Sequence, residues 1–527
     1  MNARTWKFPL LLGVTLVVIE AFSLFVLATG APSGFRWLGC NILSSTDSAV
    51  YLSYLQQGHD GHTFLSNLYA VEPHMRRLDP FWSIGGLLTR AGLEPLTTFH
   101  LLRFGMTFAL VFALYAAAKS ITTRERDARL ATVLSLLGIG CGWIYSLYLI
   151  KTGVMPSETT TAADLVTEFS AGPMLFAGPH IILSIALLIT GLRSSWNAIC
   201  NASRRTAWIA AACLGGLFSF HPYFIPVFAY FFLIAFLLSR SSRPLAATIR
   251  ATVPLIASGI PLLAIYAPLL FDTTFRTHHL SVNVLHLAAP LAWVATLAPF
   301  VVAFAWRWKN HIRIDQRERW ILAWIAATVC ALCLPLPWKR KMLEGVNVAL
   351  VLLTLPAWVA VADWIATLRF RRLLAGTLLL AAGLGPLHVL TSQFALAAHP
   401  AQQTSYWFYA PKDVFGAWTY LHDRAGASAV VLTDDNWLNV WTPAYAGRTI
   451  WVGANHETPD YASKRQAWND LMSTDDPNVA TSILGATPVT HFVITSKASQ
   501  ERIGRWLTER GWKVAWTSGG VSVLERI

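Results

Sequence analysis

Apolar runs of membrane-spanning length recur from Phe8 to about Phe394, separated by short polar stretches. Beyond about Ala398 the pattern changes to brief β-branched runs and amphipathic segments broken by Gly and Pro. The apolar region predicts about eleven spans, each near the ~20 residues that cross a hydrocarbon core of ~30 Å. They fall at 8–29, 96–118, 130–150, 174–192, 206–220, 223–239, 251–271, 285–306, 319–336, 343–365 and 373–394. The first begins behind Arg4 and Lys7 and is longer than a signal-peptide core, so it is expected to stay as an uncleaved helix. The fifth and sixth meet at His221-Pro222.

The C-terminal pattern predicts a compact α/β module. A helix is expected over 411–426, strands at 430–432 and 449–452, and a helix over 459–472. A strand at 491–494, a helix over 499–509 and a hairpin, 514–517 with 521–524 turned at Gly519-Gly520, complete it. The expected fold is therefore a polytopic α-helical membrane domain, 1–395, with long loops at 30–95 and 151–173. A small soluble α/β domain follows, 396–527.

Charge supplies the sidedness. With the N-terminus inside, the inner loops carry Lys119, Arg124, Arg126 and Arg129, then Arg193, Arg204 and Arg205, then Arg240, Arg243 and Arg250. Arg307, Lys309, Arg313, Arg317 and Arg319, and finally Arg369, Arg371 and Arg372, continue the series. Every predicted inner loop is basic, as orientation by positive charge requires, and an odd number of spans then puts the C-terminal domain outside. A bacterial-type cytoplasmic membrane is the expected location. Composition agrees, with 54% hydrophobic and only 13% charged residues. The net charge of +13 lies in these loops, so it does not signal nucleic-acid binding. None of the six cysteines lies in the C-terminal domain, and Cys330-x-x-Cys333 sits in an apolar run, so neither disulfides nor a metal site are expected of them.

Candidate chemistry collects on the outer side. Asp47 stands just before a predicted helix, where a carboxylate either caps the N-terminus or serves as a base at the membrane surface. Glu72 and His74 share the same first loop, Glu72 being either a second site carboxylate or a solvated one. Asp164 and Glu168, spaced i,i+4 in the second long loop, would share a helix face. His180 enters a membrane helix at its outer end, facing either a cavity or a backbone carbonyl. His221-Pro222-Tyr223 forms an outer turn. Lys339, Arg340 and Lys341 put three cations on the side that the charge rule leaves poor in them, suited to lipid phosphates or to ordinary headgroup contact.

Together these features resemble the GT-C superfamily, polytopic glycosyltransferases that use polyprenyl-phosphate sugars. The resemblance rests on the architecture and on Asp47 to Tyr51, Gly61 and Asn67 to Glu72 in the first outer loop. A bacterial branch of such proteins is similar in His221 to Tyr223, in Arg340 to Gly345, and in Pro443 to Arg448 with Gly453, Glu457 and Thr458. Many members carry two adjacent acids at the start of that loop, whereas Asp47 is followed by Ser48. A second carboxylate would come from Glu72, Asp164 or Glu168, or be absent, so a divalent cation (Mg or Mn) is allowed but not required. The resemblance implies an inverting transfer at the outer membrane face. Asp47 and Glu72 would be catalytic. His74, Asp164, Glu168, His180, His221, Tyr223, Lys339, Arg340 and Lys341 would bind a polyprenyl-phosphate-linked sugar and an acceptor glycan, lipid or protein. Trp437 and Trp441 are candidate sugar platforms or core residues. A lipid-linked-solute transporter and a non-catalytic scaffold are the competing classes. The first predicts inverted repeats, and none is visible.

Overall fold

The computed structural model describes residues 6–40, 45–153, 169, 171–239, 245–282, 287, 289–384, 387, 390–391, 394–395 and 408–527. Seven helices are long and apolar enough to cross a membrane. They are Lys7–Thr29, Pro95–Ile121, Glu125–Lys151, Pro179–Asn201, Thr252–Leu269, Pro290–Lys309 and Lys339–Thr367. The chain is a polytopic helical membrane protein. The other four expected spans correspond to shorter helices: Arg204–Phe220 with 17 residues, Ile225–Ser239 with 15, Arg319–Leu332 with 14 and Arg371–Ala382 with 12. Two expected spans are interrupted. Gly138 takes a left-handed C-cap after Glu125–Leu137, and a second helix starts at Gly142. Ser258 separates Leu245–Ala257 from Gly259–Leu269.

The residues group into two compact units, one of 1–20, 103–264 and 284–391, the other of 21–102, 265–283 and 392–527. The first is helical. Its helices Pro179–Asn201 and Arg204–Phe220 pack as a hairpin through Ala202, and the Ser203 hydroxyl caps the second by accepting from the Thr206 amide. In the last turn of Pro290–Lys309, Arg307 is not a free headgroup cation. Its guanidinium donates to both Glu318 oxygens, at 2.8 and 2.6 Å, with both side chains buried. Deeper, Glu20 and Arg103 are both buried, and Glu20 accepts from the Thr107 hydroxyl at 2.9 Å.

The second unit contains the α/β module. Strands β1 (Phe35–Trp37) and β2 (Tyr409–Pro411) pair antiparallel, joining the first long loop to the C-terminal segment. A five-stranded sheet follows, from β3 (Val430–Thr433), β4 (Thr449–Ile450), β5 (His491–Ile494), β6 (Trp512–Ser518) and β7 (Val521–Arg526), in order β4-β3-β5-β7-β6. β3 runs parallel to β4 and β5, whereas β7 is antiparallel to both its neighbours. The core under this sheet includes Leu432, Trp468, Leu471, Phe492, Ile494 and Leu524. All the expected strands and helices are present. Two further helices, Asn436–Ala446 and Pro477–Gly485, appear where no element was expected.

The first long loop supplies two helices to this unit. Ser45–His59 packs on both Pro80–Arg90 and Asn436–Ala446. Its crossing with Pro80–Arg90 is made at glycines, since a Cβ on Gly58 would collide with the Gly86 backbone. Asp79 caps Pro80–Arg90 by accepting from the Trp82 amide, with Pro at the first helical position, as the Asp-Pro pair predicts. Phe81, Trp82 and Thr89 are buried, while Ile84 and Leu87 present apolar side chains outward.

Candidate functional site

In the second unit, Asp47 occupies the first turn of Ser45–His59 and is exposed. The helix N-terminus favours a negative charge there. Arg77 donates to the Tyr54 hydroxyl at 2.5 Å and its guanidinium lies 5.2 Å from that ring. Glu457 is half-buried, and Asn67 donates its side-chain amide to the Glu457 carbonyl at 2.7 Å. Burial pushes the Glu457 carboxyl above the usual range against the pull of Arg77, His278 and His456, and the negative charge of Asp47 adds to the rise. Burial likewise raises the Tyr54 phenol despite Arg77, and lowers the His278 imidazole. His278 Nε2 donates to the His456 carbonyl at 3.2 Å.

A small cavity of about 30 Å³ opens among Asn67, His74, Arg77, Asp272, His278 and Glu457. That is room for water rather than for a sugar ring. Asp272 closes one wall, accepting from the amides of Met75 at 2.5 Å and Phe275 at 3.0 Å. His74 has both nitrogens engaged. Nδ1 donates to the Glu72 carbonyl at 2.9 Å, and Nε2 accepts from the Asn67 amide at 3.0 Å. The neutral ring is thus fixed in one tautomer. The Glu72 carboxylate meets Lys464 at 2.5 Å, and Lys464 is buried.

In the first unit, a second cluster gathers at the ends of several helices. His221 caps Arg204–Phe220, and Pro222–Phe224 forms a short 3-10 turn behind it. Lys339–Leu343 is also a 3-10 turn, and it delivers Glu344 inward, wholly buried. His221 Nε2 lies 3.1 and 3.2 Å from the two Glu344 oxygens. Lys341 Nζ lies 3.5 Å from one of them and the Ser184 hydroxyl 3.5 Å from the other. The His180 ring centroid is 6.3 Å from that of His221, and Tyr223 is 5.2 Å from His221 and 5.9 Å from Trp338.

The expected site residues therefore divide. His180, His221, Tyr223 and Lys341 are brought together in the first unit, with Lys339 and Arg340 on the same turn. Asp47, Glu72 and His74 belong to the second. Asp164 and Glu168 lie outside the described residues. Trp441 is fully buried, so it is core and offers no face to a sugar. The candidate list omitted Arg77, Asp272, His278, Glu344 and Glu457. Glu344 and Glu457 stand within the motif segments quoted above, which was their only signal. Among the described residues, no three or more His, Cys, Asp or Glu side chains are placed to hold a metal ion.

No family model matches the sequence, and no curated protein matches it. Solved structures do. One is an oligosaccharyltransferase from Archaeoglobus fulgidus, tethered to an acceptor peptide containing the NVT sequon. It is 13% identical with a TM-score of 0.47, over 93% of this chain and 69% of that one. Another is ArnT from Cupriavidus metallidurans, bound to undecaprenyl phosphate. It is 12% identical with a TM-score of 0.45, over 97% of this chain and 98% of that one. The chain is similar to both.

Proposed function

We propose that this chain is a membrane glycosyltransferase of the GT-C type, moving a sugar from a polyprenyl-phosphate donor to an acceptor hydroxyl at the outer face of the cytoplasmic membrane. The observation that carries the reading is Asp47. It is an exposed carboxylate at a helix N-terminus whose charge is felt by half-buried Glu457, and Glu457 in turn feels Arg77 and buried His278. A base must be reachable by the acceptor, and Asp47 is the one of these two carboxylates that solvent reaches more freely. Its oxygen takes the acceptor proton as the acceptor oxygen attacks the anomeric carbon. The bond from that carbon to the phosphate oxygen breaks with inversion, and the electron pair leaves on the polyprenyl phosphate. In the first unit, Lys339, Arg340 and Lys341 are cations suited to binding a phosphate. Glu72 Oε1 pairs with Lys464, and the two His74 nitrogens are engaged by the Asn67 amide and the Glu72 carbonyl, so both residues help hold the first long loop.

The test is transfer from polyprenyl-phosphate sugars in proteoliposomes. Asp47→Asn is expected to lower turnover by about 10²–10⁴-fold, the usual scale for a lost general base. Equal turnover in both forms removes Asp47 as the base. No transfer by the wild type, with hexose and pentose donors alike, removes the glycosyltransferase reading.

A further inference from the structure

Among the described residues, Glu344 is the most deeply buried carboxylate of the first unit, and the proposed transfer gives it no part. Its burial follows from the local sequence. The turn Lys339–Leu343 ends at Glu344 in extended geometry (φ −54°, ψ 124°), and Gly345 then takes a left-handed conformation (φ 76°) to start Val346–Thr367. A Cβ at Gly345 would press on Ile185 at 3.2 Å. This reversal aims the Glu344 side chain into the protein while the lysine three residues earlier stays one-fifth exposed. Both oxygens are used. One is shared between His221 Nε2 and Lys341 Nζ, and the other takes the Ser184 hydroxyl with the same imidazole. A wholly buried carboxylate is tolerated only when such partners surround it. It therefore ties Pro179–Asn201, the His221 turn and the cationic turn to one point.

We infer that Glu344 is a positioning residue for phosphate recognition: by tethering Lys341 and His221 it presents the lysine ammonium, pre-ordered, to the phosphate of a polyprenyl phosphate. The inference rests on the donor class proposed above. A lysine side chain loses considerable rotamer freedom when it grips an anion, and a tether already in place removes part of that loss. Glu344 touches no substrate. It acts through Lys341.

The experiment measures binding of a polyprenyl monophosphate, with the matching uncharged polyprenol as control, to the purified full chain in detergent. Wild type, Glu344→Gln, Lys341→Gln and the double variant are compared. Glu344→Gln is expected to weaken monophosphate binding about 10-fold, leave the polyprenol unchanged, and add nothing once Lys341 is Gln, the signature of two groups acting as one. A residue that merely holds the fold would lower binding further in the double variant, and that result overturns the inference. So does equal binding by wild type and Glu344→Gln. Should Glu344→Gln fail to fold, Glu344→Asp keeps the buried charge but shortens its reach. About a 3-fold loss that vanishes in the Lys341→Gln background is then expected, and no loss overturns the tether. If the wild type does not distinguish monophosphate from polyprenol, the donor class itself falls, a different outcome from the failure of Glu344 alone.

Discussion

At the residue scale, the carboxylates separate by what surrounds them. Glu72 carries the ion pair to buried Lys464, so Glu72→Gln leaves an ammonium without its counter-charge. A loss of about 1–3 kcal/mol of stability is expected, read as a lower apparent Tm in detergent. An unchanged Tm with lost transfer would return Glu72 to the catalytic group. Glu457 behaves differently. Its folded carboxyl is raised by burial, so the folded state holds the proton more tightly than the unfolded one. The stability this group contributes is present below the ordinary glutamate range and is lost as pH rises through the raised folded value. Glu457→Gln should therefore match wild type in Tm at low pH and exceed it increasingly toward neutrality. A Tm difference that does not vary with pH would refute that environment. The sequence offered little warning of this residue. Arg77, His278 and Glu457 come from three distant stretches, and no periodicity links them.

At the scale of elements, the apolar pattern located the helices well because hydrocarbon demands about 20 apolar residues of each span, and few other constraints compete. It failed where glycine and proline intervene. The run at 130–150 looked continuous, yet Gly138 caps one helix before Gly142 opens the next. Asn436–Ala446 carries Pro443 in its interior, which weakens its helical signal, although Asp435 supplies its N-cap by accepting from the Trp437 and Leu438 amides. That helix is one of the two on which Ser45–His59 rests, so missing it concealed how Asp47 is placed. The other contact is the glycine crossing with Pro80–Arg90. Gly58→Ala must push those two helices apart, and a loss of about 1–3 kcal/mol is expected. Thermal unfolding checks it, and a Tm equal to wild type would mean the helices do not meet there.

At the scale of the molecule, the basic loops predict the sidedness, and labelling can test it. In a background without the six cysteines, Lys497→Cys places a thiol at a 91%-exposed side chain of the C-terminal module. A membrane-impermeant maleimide should label it in sealed cells without permeabilisation, because the odd span count puts that module outside. Labelling only after permeabilisation would invert the topology. The two-unit organisation also constrains biogenesis. The amide of Asn67 finds its acceptor, the Glu457 carbonyl, 390 residues later in the chain. At the usual ~5–20 residues per second, roughly 20–80 s of synthesis separate the two partners. For that interval the newborn first loop lacks both the β2 strand that pairs with β1 and the helix that covers Ser45–His59. A ribosome stalled before residue 408 should thus leave the loop open to protease, whereas in the finished chain it should be resistant.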